Sequence, residues 1–258
     1  MLKLGGSVVT DKAKPFTPNL PVIERLADEI HQAQPTNLIL IHGGGSFGHP
    51  VAKKYSIAGG FKDRSQLAGF SETHEAMVSL NKMIVESLLK KDVLAFGMAP
   101  SSFIITKSGR IHACAEAPLA KAVETGLVPI LYGDAVLDFD MGFTVLSGDQ
   151  LAAYLATSMK AQRLIMGVDV DGVFSDDPKK SPRARLIRHL SLAELKNLES
   201  RISGAGVTDV TGGMLGKVSE LIAPVTNGVE TVVVNALKSG NVCKVLKGEE
   251  VVGTKIEP

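Results

Sequence analysis

Cysteine is nearly absent: Cys114 and Cys243 stand alone and far apart. That excludes a disulfide framework and offers no metal-ligand spacing. Both are expected to be buried, reduced thiols of a cytosolic protein. Net charge is nearly absent too, with 28 basic against 27 acidic residues and a balance of +1. No global field draws the chain to nucleic acid or to an anionic membrane, so any anion site must be a local cluster. Long hydrophobic runs are missing, and the apolar stretches fall far short of a bilayer span. The first residues, MLKLGGSVVTDK, put a lysine and two glycines where a signal peptide needs an apolar run. Internal repeats and low-complexity segments are also lacking. These absences predict a cytoplasmic protein with no membrane and no nucleic-acid partner.

The 258 residues are 45% hydrophobic and 21% charged, a globular composition with ample material for a core. Short aliphatic runs read as buried strands: Leu38 to Ile41, Val93 to Phe96, Val128 to Tyr132, Arg163 to Val168 and Thr231 to Val234. Amphipathic stretches lie between them. Val22, Ile23, Leu26, Ala27 and Ile30 share one helical face, opened by Asn19 as N-cap and by Pro21. Met77, Leu80, Ile84 and Leu88 make a second, and Leu151, Leu155 and Met159 a third. A fourth runs from about Leu215 to Val225. The alternation predicts an α/β fold: a three-layer αβα sandwich with a mostly parallel central sheet. Residues 1–258 read as one domain, with a division near residue 160 into two lobes. Gly172 to Arg188 reads as a long loop, and the tail from Asn241 as short strands at the sheet edge.

In such a sheet, ligands sit beyond the C-terminal ends of the strands, where helix N-termini offer N–H groups to anions. The first suitable element is Lys3-Leu4-Gly5-Gly6-Ser7, with Lys12 soon after. Its glycines let the backbone approach a phosphate and Lys3 adds a point charge, although a β-bulge beside a surface lysine has the same letters. The second is His42-Gly43-Gly44-Gly45-Ser46-Phe47-Gly48-His49. Three glycines in a row before a helix make a nest of donors that a plain turn rarely needs. No Gly-Lys-Ser/Thr closes it, so it is not a P-loop. No acidic residue stands at the right distance for a dinucleotide site. His49 is either a core histidine or an imidazole facing the anion, and its place beside the triple glycine favours the latter.

Ser147-Gly148-Asp149-Gln150 opens a helix, either as a simple N-cap worth about 1 kcal/mol or as part of a site. The run Asp169 to Lys179, DVDGVFSDDPK, carries carboxylates suited to ribose or hydrated Mg²⁺, or else forms an acidic surface loop. Asp209-Val210-Thr211-Gly212-Gly213-Met214-Leu215-Gly216-Lys217 is a further Gly-rich helix start. Read alone, Lys217 is a solvated helix lysine.

The five elements KLGGS, HGGGSFGH, SGD, GVDVDGVFSDDPK and DVTGGMLGK, in that order, resemble the amino acid kinase superfamily over essentially the whole chain. Gly45-Ser46-Phe47-Gly48-His49 together with the segment from Thr208 to Met214 is similar to the isopentenyl phosphate kinase branch, whose distinguishing residue is the histidine, here His49. The resemblance implies ATP-dependent phosphorylation of isopentenyl phosphate, with Mg²⁺ carried by the ATP phosphates and no protein-held metal. It implies that Lys3, Gly5, Gly6 and Ser7 cradle the ATP phosphates and that Lys12 lies over the transferring group. Gly44 and His49 would hold the acceptor phosphate, with Gly148 on its far side, and Gly45 would face the γ-phosphate. Asp169, Phe174, Ser175, Asp176, Asp177, Pro178 and Lys179 would line the nucleoside. Gly213 and Lys217 would touch the β- and γ-phosphates, and Asp149 would orient Lys3 and Lys217. Relatives of this kind often form homodimers.

The chemistry agrees with that implication. A phosphate monoester has a second pKa of about 6, so as acceptor it needs no base. The obstacle is repulsion between two phosphates, and the remedy is cationic. An isopentenyl tail needs an apolar pocket, for which Phe70, Thr73 and Val145 are candidates, although their helical or strand spacing suits a core equally well. A fosfomycin-type phosphonate kinase, a uridylate kinase and a nucleotide-binding regulatory module are the alternatives on the same fold.

Overall fold

A computed structural model describes residues 1–203 and 214–258. In chain order its strands are β1 Leu2–Leu4, β2 Leu40–His42, β3 Ala95–Gly97, β4 Ile104–Lys107, β5 Arg110–Cys114, β6 Val128–Tyr132, β7 Asp134–Asp138, β8 Gly142–Leu146, β9 Arg163–Val168, β10 Val173–Phe174, β11 Leu186–Ile187, β12 His189–Ser191, β13 Glu230–Asn235 and β14 Gly253–Glu257. The helices are α1 Gly6–Val9, α2 Leu20–Ala33, α3 Gly45–Lys54, α4 Ser65–Leu89, α5 Ala117–Glu124, α6 Gly148–Ser158, α7 Leu192–Ser203, α8 Met214–Thr226 and α9 Asn241–Lys247.

Among the described residues, eight strands form one sheet in the order β12-β14-β13-β9-β1-β2-β6-β3. Every pairing is parallel except β13 with β14. The sheet runs without a break across the expected division near residue 160. β1 lies inside it, with β2 on one side and β9 on the other. The turns that follow these three strands therefore meet at one end of the sheet.

Strand side chains alternate between faces, and the core divides accordingly. Leu40 joins Leu2, Leu4 and Ile165 beneath α2, α4 and α9. Ile39 and Ile41 join Leu131, Met166 and Val233 beneath α5, α6 and α8. Each fully buried aliphatic side chain contributes about 1.5–3 kcal/mol relative to exposure. Lys3 pairs in register with Ile41 and Met166, so it faces the second layer.

The tail differs from expectation. Residues Asn241–Lys247 are helical, and β14 lies between β12 and β13, so β12 is the edge strand. The cap of α9 comes from the other end of the chain: the Glu29 carboxylate accepts from the N–H groups of Val242 (2.9 Å) and Cys243 (3.1 Å). The long loop from Gly172 to Arg188 is tied by the β10–β11 hairpin. Asn19 opens α2 through its backbone carbonyl, which accepts from Val22 and Ile23, and makes no side-chain cap. Both cysteines are free and only half-buried, contrary to expectation. Burial, with Glu116 adding to it, pushes the Cys114 thiol up to about 11.

A second, four-stranded sheet, β5-β4-β7-β8, was not expected. Its two tips are fastened by Asp138. That carboxylate accepts from Thr106 Oγ1 (2.7 Å) and from the N–H groups of Ser108 (3.1 Å), Gly109 (2.8 Å), Asp140 (2.9 Å) and Met141 (2.8 Å). Among the described residues, no helix is long and apolar enough to cross a membrane.

Candidate active site

The two glycine turns pack backbone against backbone. A Cβ on Gly6 would lie 2.3 Å from the Gly45 nitrogen, and one on Gly43 would lie 2.7 Å from the Gly6 nitrogen. Gly45 adopts φ +47°, and a side chain there would reach within 2.0 Å of Thr10 Oγ1. These contacts require glycine for both space and conformation. Thr10 fastens the turns: its hydroxyl donates to Gly6 O (2.7 Å) and accepts from Ser46 N (3.0 Å). A third turn closes the group, since a Cβ on Gly148 would lie 3.0 Å from His42 O. The first segment forms the short helix α1, not a β-bulge. The starts of α1, α3 and α6 suit an anion, although Ser46 N and Gln150 N are already committed, to Thr10 Oγ1 and to Ser147 Oγ (3.1 Å). Gly5 N is already committed to Gly167 O at 2.8 Å, so Gly5 offers shape and not a donor.

Behind these turns lies an ion cluster of buried Lys3 with half-buried Asp149 and Lys217. Lys3 Nζ is 2.5 Å from Asp149 Oδ1, and Lys217 Nζ donates to Asp149 Oδ2 at 2.7 Å. The first contact lies off the hydrogen-bond axis, so Oδ1 accepts no regular hydrogen bond. Burial pulls the Lys3 ammonium down to about 8, with Lys217 adding to the effect and Asp149 opposing it. Burial alone would raise Asp149, but Lys3 and Lys217 overcome it and hold the carboxylate at about 2. Asp149 therefore stays ionised as a counter-ion and is a poor base.

Lys12 is exposed on the loop between α1 and α2. That loop is pinned over α3 by Phe16 N to Ser46 O (3.1 Å) and by the edge-on packing of Phe16 on Phe47 (5.7 Å). His49 projects from α3. The residue as a whole is exposed, while its ring is partly desolvated. Burial first, then the charges of Lys12, Lys217 and Lys3, hold its imidazole below the usual histidine value, against an opposing pull from Asp149. Lys12 also acts on Asp169, so it lies within electrostatic reach of both His49 and the end of β9.

The end of β9 leads into the acidic loop. Asp169 is held by Lys179 at 2.5 Å. Burial would raise its carboxyl, but Lys179 and then Lys12 bring it below the usual carboxylate range. Phe174 and Pro178 are half-buried, while Ser175, Asp176 and Lys179 are exposed. Asp177 is turned inward, accepting from Lys179 N at 2.9 Å, and organises the turn. Gly213, with the rest of the segment from 204, lies outside the described residues.

On the other side of α3, Ala52, Ile57, Ala135 and Phe143 form a small apolar cluster, with Phe70 and Val145 packed against it. The Phe70 and Phe143 rings are 5.5 Å apart. Thr73 is buried and its hydroxyl has no partner. It stands one helical turn before Met77, whose sulfur lies 3.1 Å from the position of a Cβ on Gly44. The expected pocket residues thus gather beside the second glycine turn.

The amino acid kinase family model matches residues 1–235. The chain is 41% identical over 265 aligned positions to an isopentenyl phosphate kinase of Methanothermobacter thermautotrophicus, covering 99% of this chain and 98% of that one. It is 35% identical to an isopentenyl phosphate kinase of Methanocaldococcus jannaschii, covering 100% and 98%. The chain belongs to the amino acid kinase family, among the isopentenyl phosphate kinases. A crystal structure of an isopentenyl phosphate kinase superposes with a TM-score of 0.87 at 38% identity, covering 99% of this chain and 98% of that one.

This amino acid kinase also uses residues that the sequence reading passed over. Thr10 bridges the two turns, but its partner Ser46 is remote in sequence and no local pattern marks it. Gly133, directly after β6, packs 2.9 Å from Gly148 N by its Cβ position. A glycine closing a buried strand was the available signal. His42 is fully buried and pulled down to about 4, by burial first and then, against a bond to Gly43, by Lys3. It is neutral: Nε2 accepts from Asn81 Nδ2 (3.2 Å), leaving Nδ1 to donate to Gly43 O (3.1 Å). It shapes the triple-glycine turn from behind.

Proposed function

We propose that this kinase transfers the γ-phosphoryl group of ATP to isopentenyl phosphate, forming isopentenyl diphosphate in isoprenoid biosynthesis. The observation that carries the reading is the Lys3–Asp149–Lys217 cluster under two facing glycine turns. It neutralises anions and offers no base, which suits an acceptor already ionised as a phosphate. The shared name of the full-length relatives supports the same acceptor.

In this mechanism, Gly5 and Gly6 shape the first turn, and Ser7 with the free α1 amides receives the ATP phosphates. Lys3 and Lys217 move part of their charge from Asp149 to those phosphates, with Lys217 on the β/γ side. Gly45 lets the γ-phosphate approach the backbone. His49, Gly44 and Gly148 receive the acceptor phosphate, and Lys12 spans the gap to stabilise the transferring group. Asp169 and the loop from Phe174 to Lys179 line the nucleoside. Phe70, Thr73 and Val145 wall the tail; equal turnover of much longer prenyl phosphates would remove them from that role.

Among the described residues, no group of three His, Cys, Asp or Glu side chains could hold a metal. Asp149 is occupied by two ammonium groups. Mg²⁺ would arrive on the nucleotide phosphates, where it would add further charge neutralisation. Residues 1 to about 160 act as the acceptor lobe and 161–258 as the nucleotide lobe. The open β3 edge, flanked by exposed Leu89, Leu94 and Leu127, is the face for a second copy of the chain. A single-chain mass by sedimentation would remove the homodimer.

The deciding experiment is a coupled ADP-release assay across isopentenyl phosphate, dimethylallyl phosphate, fosfomycin, uridine monophosphate and acetylglutamate. Preference for the first is expected. Preference for fosfomycin or uridine monophosphate, or no transfer at all, would replace the proposal.

A further inference from the structure

The second sheet reaches across to the nucleotide side. At the start of β5 the Arg110 guanidinium grips Glu220 of α8 with two parallel bonds, Nη1 to Oε1 at 2.5 Å and Nη2 to Oε2 at 2.8 Å. Glu220 stands three residues after Lys217, so the two share a stripe of α8. The same hairpin is held to α6 by Gln150. Its Oε1 accepts from Ile111 N (2.9 Å) and its Nε2 donates to Gly109 O (3.1 Å). Gln150 is the next residue after Asp149, which holds Lys217.

These contacts close a ring. From α6, Asp149 leads to Lys217 on α8; three residues on, Glu220 leads to Arg110; Arg110 leads through the hairpin to Gln150, back on α6. The hairpin itself is stiffened by three of the hydrogen bonds to Asp138 described above, from Thr106, Ser108 and Gly109. An Arg–carboxylate fork fixes orientation as well as distance, which a single exposed ion pair does not.

We propose that Arg110, acting through Glu220, is a positioning residue that sets the reach of Lys217 towards the ATP phosphates, with Gln150 as the anchor of the brace. The inference rests on the reading of Lys217 as a phosphate ligand. Arg110 touches no reacting group, and its own guanidinium is partly exposed, so its removal leaves the core intact.

The test compares Arg110→Ala, Glu220→Ala, the double variant and the charge-swapped pair Arg110→Glu/Glu220→Arg. Each single variant is expected to lower kcat/KM for ATP about tenfold while KM for isopentenyl phosphate stays within about twofold. The double variant should be no worse than either single one, and the swap should recover most of the loss. Additive losses, equal losses for both substrates, or an unaltered ATP constant would each overturn the brace. MgADP titration of the same proteins keeps the question separate from the choice of acceptor. If the wild type phosphorylates nothing in the acceptor panel, the proposed function fails, and the brace is then judged by whether MgADP affinity shows the same coupled loss and recovery.

Discussion

The two glycine turns touch each other, yet what stands behind them differs. The first, after β1, is backed by charge: Lys3, Asp149 and Lys217 are joined in one cluster. The second, after β2, is backed by neutral polar groups, with His42 and Asn81 bonded in the interior and His49 outside. The lesson concerns permanence. Buried cations need a fixed counter-ion whether or not a ligand is bound. A neutral turn with an exposed imidazole carries little charge until its ligand arrives.

The contrast is broken most severely by removing the counter-ion. Asp149→Ala should lower kcat/KM for ATP by about a thousandfold, because Lys3 and Lys217 repel and lose their alignment. Single-turnover kinetics would check it, and a loss below about tenfold would deny Asp149 its organising role. His49→Ala comes next, with about a hundredfold loss in kcat/KM for the acceptor, while His49→Gln recovers only part of it. An unchanged constant would place recognition elsewhere on the second turn. Lys12→Ala should lower kcat by about thirtyfold with little change in either KM, since it acts on the group in transit. A pure KM effect would assign it to ground-state binding.

The smallest effect sharpens the comparison through pH. Lys3, facing Asp149, Lys217 and the neutral His42, is held at about 8 in the unliganded protein. Its cationic form is present below that value and lost as pH rises through it. The profile of kcat/KM for ATP should therefore fall on the alkaline side with a midpoint near about 8. Lys3→Arg should move that limb upward, because a guanidinium does not titrate in this range. A profile flat well above the limb would show that Lys3 is cationic throughout.

Much of this was legible in the sequence because local rules sufficed. The strand VPILY was placed residue for residue, as was RLIMGV. The run LILI marked the right strand but began early, since only Leu40–His42 pairs in the sheet. The glycine turns and their lysines were visible as letters at strand ends. The second sheet was not, because its strands are short and β5 is mostly exposed. Helix α9 was missed because Glu29, far away in sequence, supplies its cap. Lys217 and Asp149 show the same limit: alone, Lys217 reads as an ordinary helix lysine and Asp149 as either an N-cap or part of a site, and their pairing came from the resemblance and not from any local pattern.

Asp149 has a consequence for turnover as well as for alignment. In the mechanism proposed above, departure of the diphosphate and ADP would leave the buried Lys3 and half-buried Lys217 ammonium groups facing each other. The carboxylate gives both a parking place, so the emptied enzyme is not driven to cling to its products or to trap stray inorganic phosphate. In that mechanism a single acid would set how readily the site lets go.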